Sequence, residues 1–377
     1  MFIHSWSEGG AQRRTLALAS ALAARGHRID LLVVRNEGPL RDVVPANVRV
    51  LTVGQWLAVL PRIRARRSRQ VRAAIGPLAW YVWRERPQVL VSAANHTAIA
   101  TARALRLSRR EDVALVLRVS NALTSRIRSN AQVRDQAMRE VLQRVDAVAA
   151  LTQSLAAEVE ALCSMPRPEI RVTVNPVLDA RQLAAGHAAP GPASSDGSPL
   201  IVGVGRLTAQ KDFATLLRAM ALLPERHRPR VAVVGEGPER EKLLRLAEEL
   251  RLKDRVEFPG RVTDPFTWLR RARLFVLSSR WEGLPGSLIE AMACGCPVVS
   301  TDTPGAREVL LNGELAPLVP CGNPSALARV VAEQLDHEID TKPLRARAAA
   351  YTIDAAAEDF LRVLQAAIDT RRARMHR

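Results

Sequence analysis

The chain has 377 residues, 47% of them apolar, with 55 basic against 38 acidic side chains and a formal net charge of +17. That length exceeds what one hydrophobic core usually organises, so two domains are expected, and the apolar share excludes a disordered class. Apolar stretches break well short of the roughly 18 to 20 residues of a membrane span, and the N-terminus lacks the basic-then-apolar order of a signal peptide.

Residues 2–6 read as a first strand, followed by Ser7-Glu8-Gly9-Gly10. Between a strand and a helix, Gly9 and Gly10 lack side chains that would keep a diphosphate from backbone amides; a plain structural turn is the alternative. Leu18 and Leu22, with Ala17 and Ala21, make one face of the first helix, which Gly26 can close in a left-handed cap. Residues 29–34, 89–92, 114–119 and 147–151 continue the strand pattern. Charge is uneven: residues 1–190 hold 28 basic and 14 acidic side chains, the remainder 27 and 24, and every basic residue of the first part is arginine. Its densest cluster, Arg62, Arg64, Arg66, Arg67, Arg69 and Arg72, lies near Trp56, Leu57 and Leu60 and ahead of Trp80, Tyr81 and Trp83. Such a stretch suits an anionic membrane surface or a lipid-linked diphosphate, although a basic helix face is often merely solvated. No recognition-module signature accompanies the charge, so nucleic acid is not an expected partner.

Residues 188–199 are rich in Pro, Gly and Ser without periodicity and read as a linker. Strand-like runs then resume at 200–204, 230–234, 256–258, 274–277, 297–300 and 316–319, alternating with helices as in doubly wound parallel α/β sheets. Gly203-x-Gly205 runs on to Thr208 and Gly235-x-Gly237 to Arg240, so neither completes the Gly-x-Gly-x-x-Gly fingerprint, and hydride chemistry loses its main support. Arg206 and Lys211 follow the first strand of this half, where two cations could neutralise a leaving nucleoside diphosphate or simply be surface charge. Cys163, Cys294, Cys296 and Cys321 show no disulfide framework, and a lone Cys-Gly-Cys lacks the second pair of a structural zinc; reduced, buried thiols and no metal site are expected.

The most informative segment is Glu282-Gly-Leu-Pro-Gly-Ser-Leu-Ile-Glu290-Ala-Met-Ala-Cys294. A buried strand at 274–277, a loop at 281–285 and a helix from Ser287 set two carboxylates eight positions apart across a strand-to-helix turn. The first helical amides are unsatisfied and, with the helix dipole, favour a phosphate. Glu282 stays in the loop, able to accept from sugar hydroxyls, and Glu290 sits about one turn into the helix, within reach of a ribose diol.

This segment resembles the paired-glutamate motif of the retaining glycosyltransferases of GT-B architecture, in the large group that includes bacterial lipopolysaccharide, capsule and phosphatidylinositol mannosyltransferases (glycosyltransferase family 4, group 1). Glu8-Gly9-Gly10-Ala11-Gln12, Gly26-His27, Val204-Gly205-Arg206-Leu207 with Lys211, Val234-Gly235-Glu236-Gly237-Pro238, Phe258-Pro-Gly260 and Thr303-Pro-Gly305 extend the likeness over nearly the whole chain. The resemblance implies two Rossmann-like domains facing a central cleft. The first, residues 1–186, would bind acceptor; after a linker at 187–199, residues 200–350 would bind the nucleotide-sugar. Residues 351–377 would form a helix crossing back to the first domain.

It further implies that Arg206, Lys211 and Glu282 serve the reaction, while Gly9, Gly10, Gly205, Gly235, Val262, Gly286, Ser287, Leu288 and Glu290 hold the donor without a metal or other cofactor. The donor would most simply be a UDP-sugar and the acceptor a lipid-linked or cell-surface glycan, used by a cytoplasmic protein peripheral to the inner membrane face. Many members carry a donor-positioning histidine in a segment resembling Leu117-Arg118-Val119-Ser120-Asn121. Here Ser120 stands in its place, and His96 is the nearby replacement, unless it is an ordinary packed or solvated residue. A catalytically silent GT-B protein that binds nucleotide-sugar or partners an active transferase is the alternative reading. Only six residues precede Ser7, which suggests a start a few residues inside the usual one.

Overall fold

The computed structural model describes residues 1–6, 10–54, 67–123, 131–163, 168–186 and 197–376. Short apolar runs that can be buried on both faces favour parallel strands, and they form two such sheets. The first has the order β3-β2-β1-β4-β5-β6-β7, from β1 Phe2–Ser5, β2 Asp30–Arg35, β3 Arg49–Thr52, β4 Val89–Ser92, β5 Ala114–Val119, β6 Ala147–Ala150 and β7 Glu169–Val172. The second has the order β10-β9-β8-β11-β12-β13, from β8 Leu200–Val204, β9 Arg230–Val234, β10 Val256–Gly260, β11 Leu274–Leu277, β12 Val298–Thr301 and β13 Leu318–Val319. The inner strand β5 is buried along its whole length. The strands that sequence pattern missed, β3 and β7, are sheet edges and only partly buried. An edge strand keeps polar side chains, and these interrupt the apolar run that betrays an inner strand.

Seven helices position the residues discussed below: α1 Gly10–Ala24, α2 Arg67–Ala73, α3 Ile75–Glu85, α4 Ala98–Ser108, α5 Phe213–Ala221, α6 Gly286–Ala293 and α7 Ile353–Met375. Helix α1 buries Leu18, Ala21 and Leu22. It ends as its sequence predicts: Gly26 takes φ 87° and the His27 amide donates to the Leu22 carbonyl, which closes a Schellman cap.

The chain divides into two compact units, Met1–Pro176 with Ile353–Arg377, and Val177–Thr352. The first break therefore falls ten residues ahead of the expected boundary at 186, because the helix Ala180–Gly186 packs against Phe266–Leu269 and α6 of the second unit. Most of the expected linker lies outside the described residues. Helix α7 belongs to the first unit because its apolar face, Ala357, Phe360, Val363 and Ala367, closes on Leu18 and Leu22 of α1 and on Val91, Val116 and Ala149 of the sheet.

A buried carboxylate fastens its far end. Asp146, immediately before β6 and fully buried, accepts the Leu115 amide at 2.8 Å and meets Arg371 Nη2 at 2.8 Å and Arg374 Nη1 at 3.0 Å. Desolvation pushes its pKa up, opposed by the amide and by the guanidinium of Arg371. Stripping partners from a buried charge costs more than the pair itself contributes. The double variant Arg371→Ala, Arg374→Ala is therefore expected to lose about 3 kcal/mol, read as a lower urea midpoint, and Asp146→Asn in that background should restore part of the loss. A midpoint unchanged by the double variant would show that the apolar face of α7 suffices.

Candidate functional site

In a doubly wound sheet, crossovers leave the two middle strands in opposite directions and open a crevice at their carboxyl ends. The strand orders put that point between β1 and β4 in the first unit and between β8 and β11 in the second.

In the second unit, residues 205–212 connect β8 to α5 and residues 278–285 connect β11 to α6. Lys211 Nζ lies 2.6 Å from Glu282 Oε1, both side chains largely buried, and Ser279 Oγ donates to the same oxygen at 2.7 Å. Ser278 Oγ holds the Lys211 carbonyl at 2.9 Å, the Arg280 amide donates to the Gln210 carbonyl at 2.8 Å and Gln210 Nε2 to the Trp281 carbonyl at 2.9 Å. Asp212, at φ 44°, accepts Arg280 Nε at 2.9 Å and Thr215 Oγ1 at 2.8 Å. The two loops are thus sewn together. Sequence reasoning assigned Lys211 to a leaving group and Glu282 to a sugar as separate tasks; in the folded chain they are each other's partners. It missed Ser278, Ser279, Asp212 and Arg280, whose only sequence signal was an Asp just before a helix, a common capping residue.

Helix α6 starts at Gly286 behind Pro285, with no side-chain cap. Its first amides, Gly286 to Leu288, have no intrahelical partner, and Ser287 Oγ is buried without a hydrogen-bond partner. The Leu288 side chain is fully buried in the core, so only its amide is available to a ligand. Glu290 lies one turn further on, half-buried.

The loops beyond β8, β9 and β10 are tied by backbone bonds from Gly205 N to Val234 O at 3.0 Å, Leu207 N to Glu236 O at 2.9 Å and Gly235 N to Gly260 O at 2.9 Å. Gly235 has φ 145°, and a Cβ there would overlap the Gly205 carbonyl oxygen, so only glycine permits this approach. Arg206 is exposed on the same turn, and Val262 follows β10 half-buried. A Cβ on Gly305 would likewise overlap the Gly283 carbonyl, which accounts for Thr303-Pro-Gly305 accompanying the paired-glutamate segment.

In the first unit, Gly10 opens α1, while Glu8 and Gly9 lie outside the described residues. Asn95 bridges the loops after β4 and β5: its Nδ2 donates to the Asn121 carbonyl at 2.6 Å and its Oδ1 accepts the Ser120 amide at 3.3 Å. That brings His96 and Ser120 together at the carboxyl ends of β4 and β5. Arg67 Nη2 contacts His96 Nε2 at 2.7 Å. A guanidinium only donates, so Nε2 carries the lone pair and the proton resides on Nδ1. His4 lies beside it, ring centroids 6.4 Å apart, with its Nε2 2.7 Å from Gln70 Oε1.

Although His96 keeps exposed surface, desolvation by its packed neighbours, then the charges of Arg67 and His4, lower its pKa to about 3. Within the arginine cluster, Arg62, Arg64 and Arg66 fall outside the described residues and Arg67 is engaged with His96. Tyr81 turns inward, its hydroxyl 2.6 Å from Asp30 Oδ2. None of the four cysteines forms a disulfide; Cys294 and Cys296 are buried, Cys163 is intermediate and Cys321 exposed.

Two family descriptions match in succession: "Glycosyl transferase 4-like domain" over residues 9–176 and "Glycosyl transferases group 1" over residues 189–354. The chain belongs to the group 1 glycosyltransferases. Over 136 residues, 36% of this chain and 39% of the relative, it is 34% identical to the lipopolysaccharide core biosynthesis glycosyltransferase LpsE of Rhizobium meliloti. It is also 34% identical, over 37% of this chain and 38% of the relative, to a Campylobacter jejuni N-acetylgalactosaminyltransferase named for a diphospho-undecaprenol acceptor. The match thus spans less than two fifths of either relative's length. Anabaena HepE in complex with UDP superposes with a TM-score of 0.73 at 18% identity, covering 97% of this chain and all of HepE. The likeness extends the GT-B fold over both units.

Free His96 titrates near 6.5 and the folded residue near 3, so between those values the unfolded chain binds a proton that the folded chain does not. Stability should therefore fall as pH drops through this window. His96→Asn is expected to narrow the difference in urea midpoint between pH 7 and pH 4.5; an undiminished difference would assign the acid sensitivity to other groups.

Proposed function

We propose that this group 1 glycosyltransferase moves a sugar, with retention of anomeric configuration, from a UDP-sugar to a lipid-linked or cell-surface glycan at the inner face of the cytoplasmic membrane. The observation that carries the reading is the Lys211–Glu282 pair set beside the uncapped start of α6 at the β8/β11 crevice. Breaking a glycosyl-phosphate bond builds negative charge on the diphosphate and positive character on the sugar. Arg206, Lys211 and the amides of Gly286 to Leu288 meet the first. Ser287 Oγ adds a buried hydroxyl still lacking a partner. Fixed cations of this kind supply the charge that a metal would otherwise bring.

A phosphate arriving at Lys211 competes with Glu282 for the ammonium, which frees a Glu282 lone pair for a sugar hydroxyl just where the sugar must be held. Glu290 takes the ribose, and the glycine turns at Gly205 and Gly235, with Val262, shape the nucleotide pocket. In the first unit, Gly9 and Gly10 lack side chains that would keep a diphosphate from backbone amides. There the neutral His96, with a proton on Nδ1, is suited to donating a hydrogen bond to the donor sugar rather than to moving a proton. The UDP bound to Anabaena HepE and the diphospho-undecaprenol in the name of the Campylobacter relative support these donor and acceptor classes. Among the described residues no helix is long and apolar enough to cross a membrane. The catalytically silent alternative rests on Ser120.

UDP should raise the thermal midpoint of the protein, and Glu290→Gln should reduce that shift. Lys211→Ala should lower turnover by on the order of a hundredfold or more, as loss of one charge-stabilising donor does. Initial rates near wild type for Lys211→Ala would remove the leaving-group argument.

If His96 positions the sugar, His96→Ala cuts transfer with little change in UDP affinity; if Ser120 does, Ser120→Ala is the harmful change and His96→Ala is nearly neutral. Absence of transfer by the wild type, from nucleotide-sugars shown to bind it to lipid-linked acceptors, would favour the silent reading.

A further inference from the structure

An open groove of about 490 Å³ runs between α3 and α4, away from the residues assigned above. Its walls include Trp80 and Trp83, 57% and 59% exposed, and Leu107, 61% exposed. Arg84 lies over the Trp80 ring at 5.1 Å. Both helices end in left-handed arginines: Arg86 at φ 47° after α3, and Arg109, on the groove wall, at φ 53° after α4. Stability alone selects glycine at such caps, because any Cβ is strained there. Arg251 takes the same conformation, φ 56°, after the helix Arg240–Glu249, so a left-handed arginine marks no surface by itself; Arg86 and Arg109 stand out by lying near exposed tryptophans. Of the nearby carboxylates, Glu85 is shared by Arg28, Arg49 and, at 3.9 Å, Arg84, Asp112 is held by Arg110, and Glu111 is exposed, so Arg84, Arg86, Arg106, Arg109 and Arg110 outnumber the acids on this face.

We propose that this face docks on an anionic lipid bilayer, with Trp80, Trp83 and Leu107 entering the interfacial layer and Arg84, Arg86 and Arg109 meeting headgroup phosphates. Indole rings favour the membrane-water boundary, where one end is apolar and the other wet. An exposed leucine beside them offers aliphatic surface, which acyl chains satisfy and sugar rings do not. A second copy of the chain is disfavoured, since self-contact would set arginines against arginines. Leu107 and Arg109 lie at the far end of α4 from His96, about 16 Å along the helix axis, so docking there is separable from the candidate site and stands independently of the donor and acceptor proposed above.

The test is sedimentation of the whole chain with vesicles of phosphatidylcholine alone or mixed with phosphatidylglycerol. Wild type should partition onto the mixed vesicles and be released by 0.5 M salt, which cuts the screening length to roughly half its physiological value. Arg86→Gly with Arg109→Gly, which relieves strain while removing charge, should lower the partition coefficient by on the order of tenfold or more, with an unchanged or higher thermal midpoint. Trp80→Ser with Trp83→Ser should lower it comparably, and the UDP-induced thermal shift should survive in both variants. Wild-type vesicle binding by the glycine variant, or equal wild-type binding to neutral vesicles, would overturn the proposal. So would release of the tryptophan face by a soluble acidic oligosaccharide, which reassigns it to a glycan, or a dimer in sedimentation equilibrium that Trp80→Ser with Trp83→Ser dissolves.

Discussion

A parallel sheet must be covered on both faces, and the chain can do this only by sending crossover helices to opposite sides from a pair of central strands. That constraint creates one crevice in each unit, between β1 and β4 and between β8 and β11. The polar chemistry of the protein follows from it. At those strand ends the backbone leaves the sheet, amides lose their partners, and side chains from loops distant in sequence converge. Gly10, His96 and Ser120 collect at one such edge, and Gly205, Lys211, Glu282 and the start of α6 at the other.

At the second crevice, the unliganded arrangement is already organised for charge. Lys211 and Glu282 share a short contact in a mostly buried place, with Ser279 on the same carboxylate oxygen. Each group keeps the other from being an unpaired buried charge, which would be far more costly than an exposed one. The pair also fixes the geometry of both loops before any ligand arrives, and such preorganisation is what makes a charged group effective against a developing charge. The glycines serve the same end by a different route: Gly235 and Gly305 allow neighbouring backbones to approach more closely than any side chain would tolerate.

The first unit shows two ways of spending stability. Helix α7 returns to close its sheet, and Asp146 takes a fully buried charge into the core that Arg371 and Arg374 compensate. Around His96 the balance runs the other way. Desolvation by packed neighbours and a nearby guanidinium keep the imidazole neutral, which weakens the fold in acid and leaves a hydrogen-bond donor whose state does not vary near neutral pH. Arg86 and Arg109 likewise hold conformations that glycine would adopt more easily, at positions bordering exposed aromatic surface.

Inner strands, the first helix with its Gly26 cap, and the strand-loop-helix unit around Glu282 and Glu290 were legible in the residues alone, because periodicity and turn chemistry are local. The family likeness was legible too, since its motifs sit where backbone geometry admits few residue types. Although β10 and β13, also sheet edges, were legible, strands β3 and β7 were not, because Arg49 in one and Glu169 and Arg171 in the other break runs only four residues long. Nor was the placement of residues 180–186 in the second unit, which depends on what that helix packs against. Above all, the pairing of Lys211 with Glu282, the tautomer of His96 and the inward turn of Tyr81 needed the tertiary structure. Each depends on groups separated by tens of residues, and no local pattern encodes which of them will share a few ångströms of low-dielectric space.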